Sequence, residues 1–205
     1  MTDIPKGCVV AATKNKNKLR EMNAILEGCG LSIISQEEAG LSGIDVVEDG
    51  ETFEENSFKK ANEIMKACGH PAIADDSGLM VDALGGAPGV YSARFAGEGH
   101  DDSANNTKLL SMLQDVPDEK RGAKFVAVIT LVYPDGEKIV ARGECPGHIM
   151  HELSGAGGFG YDPLFRPEGY EQTFGELGAD IKNKISHRAR ALAELERKLA
   201  CRKQD

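Results

Sequence analysis

The run Ala72-Ile-Ala-Asp-Asp-Ser-Gly-Leu-Met-Val-Asp-Ala-Leu-Gly-Gly-Ala-Pro-Gly-Val-Tyr-Ser-Ala-Arg94 constrains this chain more than any other stretch. Ala72, Ile73 and Ala74 read as a short apolar strand that delivers two adjacent carboxylates, Asp75 and Asp76, into a serine and a glycine. Neighbouring charges behind a buried strand carry a desolvation cost that a plain Asp-Ser-Gly turn avoids. Strand-end carboxylates beside flexible backbone suit a hard cation and a phosphate, because magnesium takes oxygen ligands and usually only one or two carboxylates. Side chains alternate along a strand, so one aspartate can face the metal while the other orients water.

Strand and helix patterns alternate around this run. Residues 7–12 read as a strand, and Leu19, Met22, Ile25 and Leu26 then follow helical spacing up to Gly28-Cys29-Gly30. Residues 31–35 read as a second strand, and 42–50 as an acidic loop. Thr52 and Glu55 have the spacing of a capping box, opening a helix that buries Phe53, Ala61, Ile64, Met65 and Cys68 and stops at Gly69-His70-Pro71. Asp101-Asp102-Ser103 caps another helix, carrying Leu109, Leu110 and Leu113. Residues 124–133 and 137–143 form a hairpin about Pro134-Asp135-Gly136, with strand-like residues on to Met150. The last helix is expected from about Ile185 to Lys198. The fold class is α/β: a mixed central sheet with flanking helices, and two lobes around an active-site cleft sharing that sheet. With no repeat or long linker, residues 1–205 read as a single domain.

Charge and cysteine usage narrow the functional class. The net charge of −9 argues against a nucleic-acid backbone as the main partner, while leaving a locally basic nucleotide site open. Five scattered cysteines without a C-x-x-C argue against a disulfide framework or zinc knuckle. His148 and His151 are expected at the surface or in the core rather than on a metal. No apolar stretch reaches membrane-spanning length and the start lacks a secretory pattern, so a cytoplasmic protein is expected.

Four further segments carry candidate chemistry. Thr13-Lys14-Asn15-Lys16-Asn17-Lys18 lies between a strand and a helix, where free backbone N–H groups and the helix dipole favour an anion. Taken alone, it reads more readily as a capped surface helix with solvated lysines. Glu48 and Glu51, with Lys60 on the following helix, read as helix-start acids or as part of a metal and phosphate site. Gly155-Ala-Gly-Gly-Phe159-Gly160-Tyr161-Asp162 lets backbone approach a ligand closely, with Phe159 available to stack on a base and Asp162 to accept from it. Lys182, Ser186, His187 and Arg188 gather donors near the start of the last helix, able to read a base carbonyl or bind phosphate.

In this order the segments resemble the inosine-triphosphate pyrophosphatase family, the RdgB-type noncanonical purine nucleoside triphosphate pyrophosphatases. The resemblance runs from about Val9 to Arg190 and rests on Ala-Asp-Asp-Ser-Gly-Leu, Gly-Gly-Ala-Pro-Gly-x-Tyr-Ser-Ala-Arg, Gly-Phe-Gly-Tyr-Asp-Pro and Ser-His-Arg. It implies a magnesium-dependent hydrolase that converts ITP, dITP and XTP to the monophosphate and pyrophosphate, keeping them out of DNA and RNA. It implies that residues 13–18 cradle the triphosphate, with Lys18 and Lys60 among the phosphate contacts. Asp76 would be proton acceptor and metal ligand, Asp75 its support, Ser77 a substrate contact and Glu48 a magnesium ligand or water-orienting acid, with Glu51 as competitor. The base pocket would use Phe159, Gly160, Tyr161, Asp162, Lys182, His187 and Arg188. A homodimer is implied as well. The first loop departs from the family pattern in being lysine-rich where a glycine is common. A catalytically silent nucleotide-binding regulator would not need the full acidic set. A haloacid-dehalogenase-type enzyme would want D-x-D after its first strand, a cysteine phosphatase C-x5-R, and a Maf-type pyrophosphatase would lack Ser-His-Arg.

Overall fold

The computed structural model describes residues 4–5, 7–26 and 31–202. The helix stop expected at Gly28-Cys29-Gly30 lies outside the described residues. Six strands form one mixed sheet: β1 (Cys8–Ala11), β2 (Ser32–Ser35), β3 (Ala72–Val81), β4 (Gly122–Val132), β5 (Lys138–Ile149) and β6 (Phe165–Pro167), in the order β2-β1-β3-β4-β5-β6. β1 runs parallel to β2 and β3, whereas β6 is antiparallel to β5. The helices are α1 (Lys16–Leu26), α2 (Phe53–Cys68), α3 (Asp102–Met112), α4 (Ala179–Ile185) and α5 (His187–Arg202). None of the described helices is long and apolar enough to cross a membrane.

The chain divides into two compact units, one of residues 1–76, 127–143 and 188–205, the other of 77–126 and 144–187. In the first, the period-2 alternation of strands sorts the core onto two faces. Val9, Ala11, Ile73, Ala127, Ile129 and Leu131 meet Met22 and Leu26 of α1 and Ala191, Leu192 and Leu195 of α5. Cys8, Val10, Ala72, Ala74 and Val132 meet Ala61 and Ile64 of α2. The second unit has its own core, in which Leu79, Val81, Phe125, Cys145, Ile149 and Phe165 of the strands pack with Leu109 and Leu113 of α3.

Local signals hold where they were expected. Thr52 accepts from the Glu55 amide and the Glu55 carboxylate accepts from the Thr52 amide, closing the capping box of α2. Gly69 ends that helix in the left-handed conformation, with φ 68°. Asp101 caps α3 by accepting from Ser103 and Ala104. Two expectations are corrected. β3 does not end at the aspartates but continues through them to Val81, so Asp75 and Asp76 are mid-strand. The last helix is two helices: α4 stops at Ile185, Ser186 is extended, and α5 starts at His187.

Candidate active site

The strand alternation that sorts the core also separates the two aspartates. Asp75 follows Ile73 onto the α1 and α5 face, and Asp76 follows Ala74 onto the α2 face. Both are buried, at 1% and 4% exposure. Such burial is tolerable only with counter-charges, and each face supplies them.

Asp75 receives Lys18 Nζ at 2.8 Å and Arg188 Nε and Nη2 at 2.8 and 3.3 Å. Burial opposes its ionisation, but the Arg188 and Lys18 charges outweigh it and hold the carboxyl well below its usual range. Arg188 is itself buried and donates through Nη1 to Glu21. Glu21 lies three residues after Lys18 on α1, an i, i+3 spacing that puts both on one helix face and was available in the sequence.

On the other face Lys60 Nζ contacts Asp76 Oδ1 at 2.7 Å, Glu48 Oε1 at 3.1 Å and the Asp75 carbonyl at 3.0 Å. Lys60 thus joins Glu48 and Asp76 through one ammonium group. Burial, with the Glu48 charge beside it, pushes Asp76 up despite Lys60 and Lys18. Burial also acts on Glu48, but Lys60 and Lys18 prevail and hold it below its ordinary value. Glu51, the competitor, is exposed at the start of α2, its amide donating to Glu55. The pair Glu48 and Asp76 is an oxygen-only donor set, as a hard cation requires. No group of three or more His, Cys, Asp and Glu side chains fit to hold a metal gathers among the described residues.

The first loop is built by its own side chains. Asn15 Oδ1 accepts from the amides of Asn17 and Lys18 at 2.9 and 3.1 Å, and Thr13 Oγ1 from Asn15 at 3.1 Å. Asn15 thus caps α1 while Lys18, the third residue of the helix, turns to Asp75. Lys14 is exposed and meets Asp45 at 3.0 Å; Lys16 is exposed and Asn17 half-buried.

The second unit holds the other cluster. Lys182 Nζ sits 2.6 Å from Asp162 Oδ2, both nearly fully buried, and 4.5 Å from the Phe159 ring centroid. The same Asp162 oxygen accepts from the Phe159 amide at 2.8 Å. Gly158, at φ 74°, leaves the space for it, since a Cβ there would fall 2.1 Å from Asp162 Oδ2. His187 stacks on Phe125 at 4.7 Å. Tyr161 is buried and donates to the Ser92 carbonyl at 2.8 Å. Ser77 follows Asp76 on β3, and the next residue, Gly78, lets Gly89 and Ser92 approach to 2.4 Å of where a Cβ would lie. Of the residues expected around a base, Arg188 alone is placed in the first unit, with Asp75.

Buried Asp75 and Asp76, each beside a lysine in a mixed α/β chain, are groups of a kind suited to phosphates and a hard cation. The chain belongs to the Ham1 family, whose sequence profile matches residues 9–198. It is 54% identical to a dITP/XTP pyrophosphatase of Clostridium perfringens, covering 91% of this chain and 94% of that one. A dITP/XTP pyrophosphatase of Desulforamulus reducens is 53% identical over 90% of this chain and 91% of its own. Among solved structures, the Staphylococcus aureus Ham1 protein is 39% identical with a TM-score of 0.85, covering 95% of this chain and 99% of that chain.

Proposed function

We propose that this chain hydrolyses noncanonical purine nucleoside triphosphates, dITP, ITP and XTP, to the monophosphate and pyrophosphate. The observation that carries this reading is buried Asp76 and half-buried Glu48 meeting on Lys60, backed by the ion pair of Lys18 with Asp75. The similar dITP/XTP pyrophosphatases support the choice of substrate.

Residues 13–18, Lys18 and Lys60 bind the phosphates, and Ser77 adds a substrate contact. Asp76, its proton affinity raised, takes a proton from the water that attacks the α-phosphorus in line. The new P–O bond forms as the bond to the bridging oxygen breaks, and pyrophosphate leaves. Asp75 positions Lys18 and Arg188 rather than touching the reacting atoms. Glu48 and Asp76 would hold magnesium, which when bound neutralises charge on the phosphates. Two carboxylates leave the remaining positions to water and phosphate oxygens.

Phe159 stacks on the base, Gly160 and Tyr161 shape its pocket, and Asp162 accepts from a base N–H. Lys182 and His187 donate to the 6-oxo group that adenine lacks; rejection of a base without it reaches ~10⁴-fold when a site is built for that bond. The whole chain acts as one functional domain, as a homodimer in the cytoplasm, on free nucleotides rather than nucleic acid.

A magnesium-dependent panel of dITP, ITP, XTP, ATP and GTP, reading pyrophosphate, tests the reading. The 6-oxo noncanonical substrates should be preferred and EDTA should abolish turnover. Asp76→Asn should abolish turnover while nucleotide still binds. Release of inorganic phosphate without pyrophosphate rejects the reaction, and near-normal turnover of Asp76→Asn rejects the base.

A further inference from the structure

Helix α3 is one residue set the proposed chemistry leaves unused. Its first residue, Asp102, accepts from the Gly160 amide through Oδ2 at 2.7 Å. Asn106, one turn later on the same helix face, donates through Nδ2 to the Gly160 carbonyl at 2.9 Å. Both backbone polar groups of one glycine are thereby held by an i, i+4 pair. Gly160 sits at φ 62°, the left-handed region, between Phe159 and Tyr161.

The asparagine is not placed there for its own stability. Asn106 is buried, at 5% exposure, and its Oδ1 has no hydrogen-bond partner among the described residues. A buried acceptor without a donor is destabilising. Turning the amide over would set Oδ1 against the Gly160 carbonyl, so the amide orientation is fixed by that contact. The preceding residue, Asn105, points elsewhere: it accepts from the Ala96 amide at 2.7 Å and donates to the Ala93 carbonyl at 3.1 Å. Segment 89–96 in turn receives Tyr161 through the Ser92 carbonyl. Adjacent asparagines therefore tie α3 both to Gly160 and to the segment that anchors Tyr161.

We propose that Asp102 and Asn106 form a backbone clamp on Gly160 that sets the placement of Phe159 and Asp162, and so governs discrimination between purine bases. Neither residue touches the base; both are positioning residues. The proposal rests on the reading that Phe159, Asp162 and Lys182 contact the base. It places specificity partly on a helix outside that set of contacts. A clamp on one peptide acts on binding and orientation, so KM and base preference move while the proton-transfer machinery at Asp76 is untouched.

The test uses Asn106→Asp, which keeps the shape but turns the donor facing the Gly160 carbonyl into an acceptor. It also uses Asp102→Ala, at an exposed position, and Asp102→Asn, which retains an acceptor for the Gly160 amide. KM and kcat are measured for dITP and dGTP by pyrophosphate release. Asn106→Asp and Asp102→Ala should raise KM for dITP about tenfold, leave kcat within about twofold, and lower the dITP-over-dGTP preference. Asp102→Asn should stay within about twofold of the parent. An unchanged KM and preference in Asp102→Ala, or a fall in kcat alone, overturns the clamp, whether or not Asn106→Asp folds. Phe159→Ala separates the two readings. If it leaves base preference intact, the base pocket itself is wrong; if it shifts the preference while the clamp variants do not, only the clamp is wrong.

Discussion

Replacing Asp75 with asparagine should destabilise the protein severely, although it removes only one charge. The carboxylate side chain is 0% exposed, against 1% for Arg188 and 16% for Lys18, and it serves both cations. Asparagine can still accept one hydrogen bond, but its amide turns donors toward a cation. Breaking a buried pair by removing one partner costs about 3–5 kcal/mol, because the other charge stays desolvated. Glu21 remains on Arg188, which limits the loss on that side, while Lys18 loses its carboxylate. At about 2–4 °C per kcal/mol for a chain of this size, the melting temperature should fall by about 6–20 °C. Urea unfolding at neutral pH gives the free energy directly, and Arg188→Met and the double variant complete a mutant cycle. The double variant should be less destabilised than the sum of the singles, with a coupling of at least about 1 kcal/mol. A loss below about 1 kcal/mol in Asp75→Asn, or strict additivity, would refute the view that these ions hold the strand in place.

Other perturbations test separate parts of the chain. Arg121 is buried and donates to the carbonyls of Leu113, Ile149 and Met150 at 2.7–2.8 Å, so Arg121→Met should cost about 3 kcal/mol or more by orphaning them, seen as a lower urea midpoint. Thr52→Ala removes the side-chain half of the α2 capping box and should cost about 1 kcal/mol, a drop of about 2–4 °C in melting temperature. Gly158→Ala puts a methyl where the Asp162 carboxylate lies and should raise KM for dITP while leaving α2 and its cap intact; unaltered kinetics would contradict the packing at Asp162.

Much of this fold was legible because its signals are local. The Thr52–Glu55 box, the left-handed Gly69, the Asp101 cap and the turn at 134–136 each need only residues a few positions apart. The candidate site segments stand out in the sequence for a related reason: carboxylates behind an apolar strand and glycines around an aromatic are unusual combinations. The extent of β3 was not legible. A strand carrying Asp-Asp-Ser-Gly reads as ending there, and it continues because Lys18 and Arg188, 57 and 113 residues away in sequence, neutralise Asp75. That Glu48 rather than Glu51 meets Lys60 likewise depends on where a loop sets the side chain.

The sequence by itself determined the alternation of elements, the caps and the residue types from which a phosphate and purine site can be made. Only the tertiary structure decided how adjacent residues are divided. Asp75 and Asp76 go to opposite sheet faces, Asn105 and Asn106 to different segments, and His187 and Arg188 to Phe125 and Asp75 respectively. Backbone geometry turns successive side chains by about 180° in a strand and about 100° in a helix. Which partner then meets each one is set by long-range packing, where a desolvated charge is stable only beside its counter-charge.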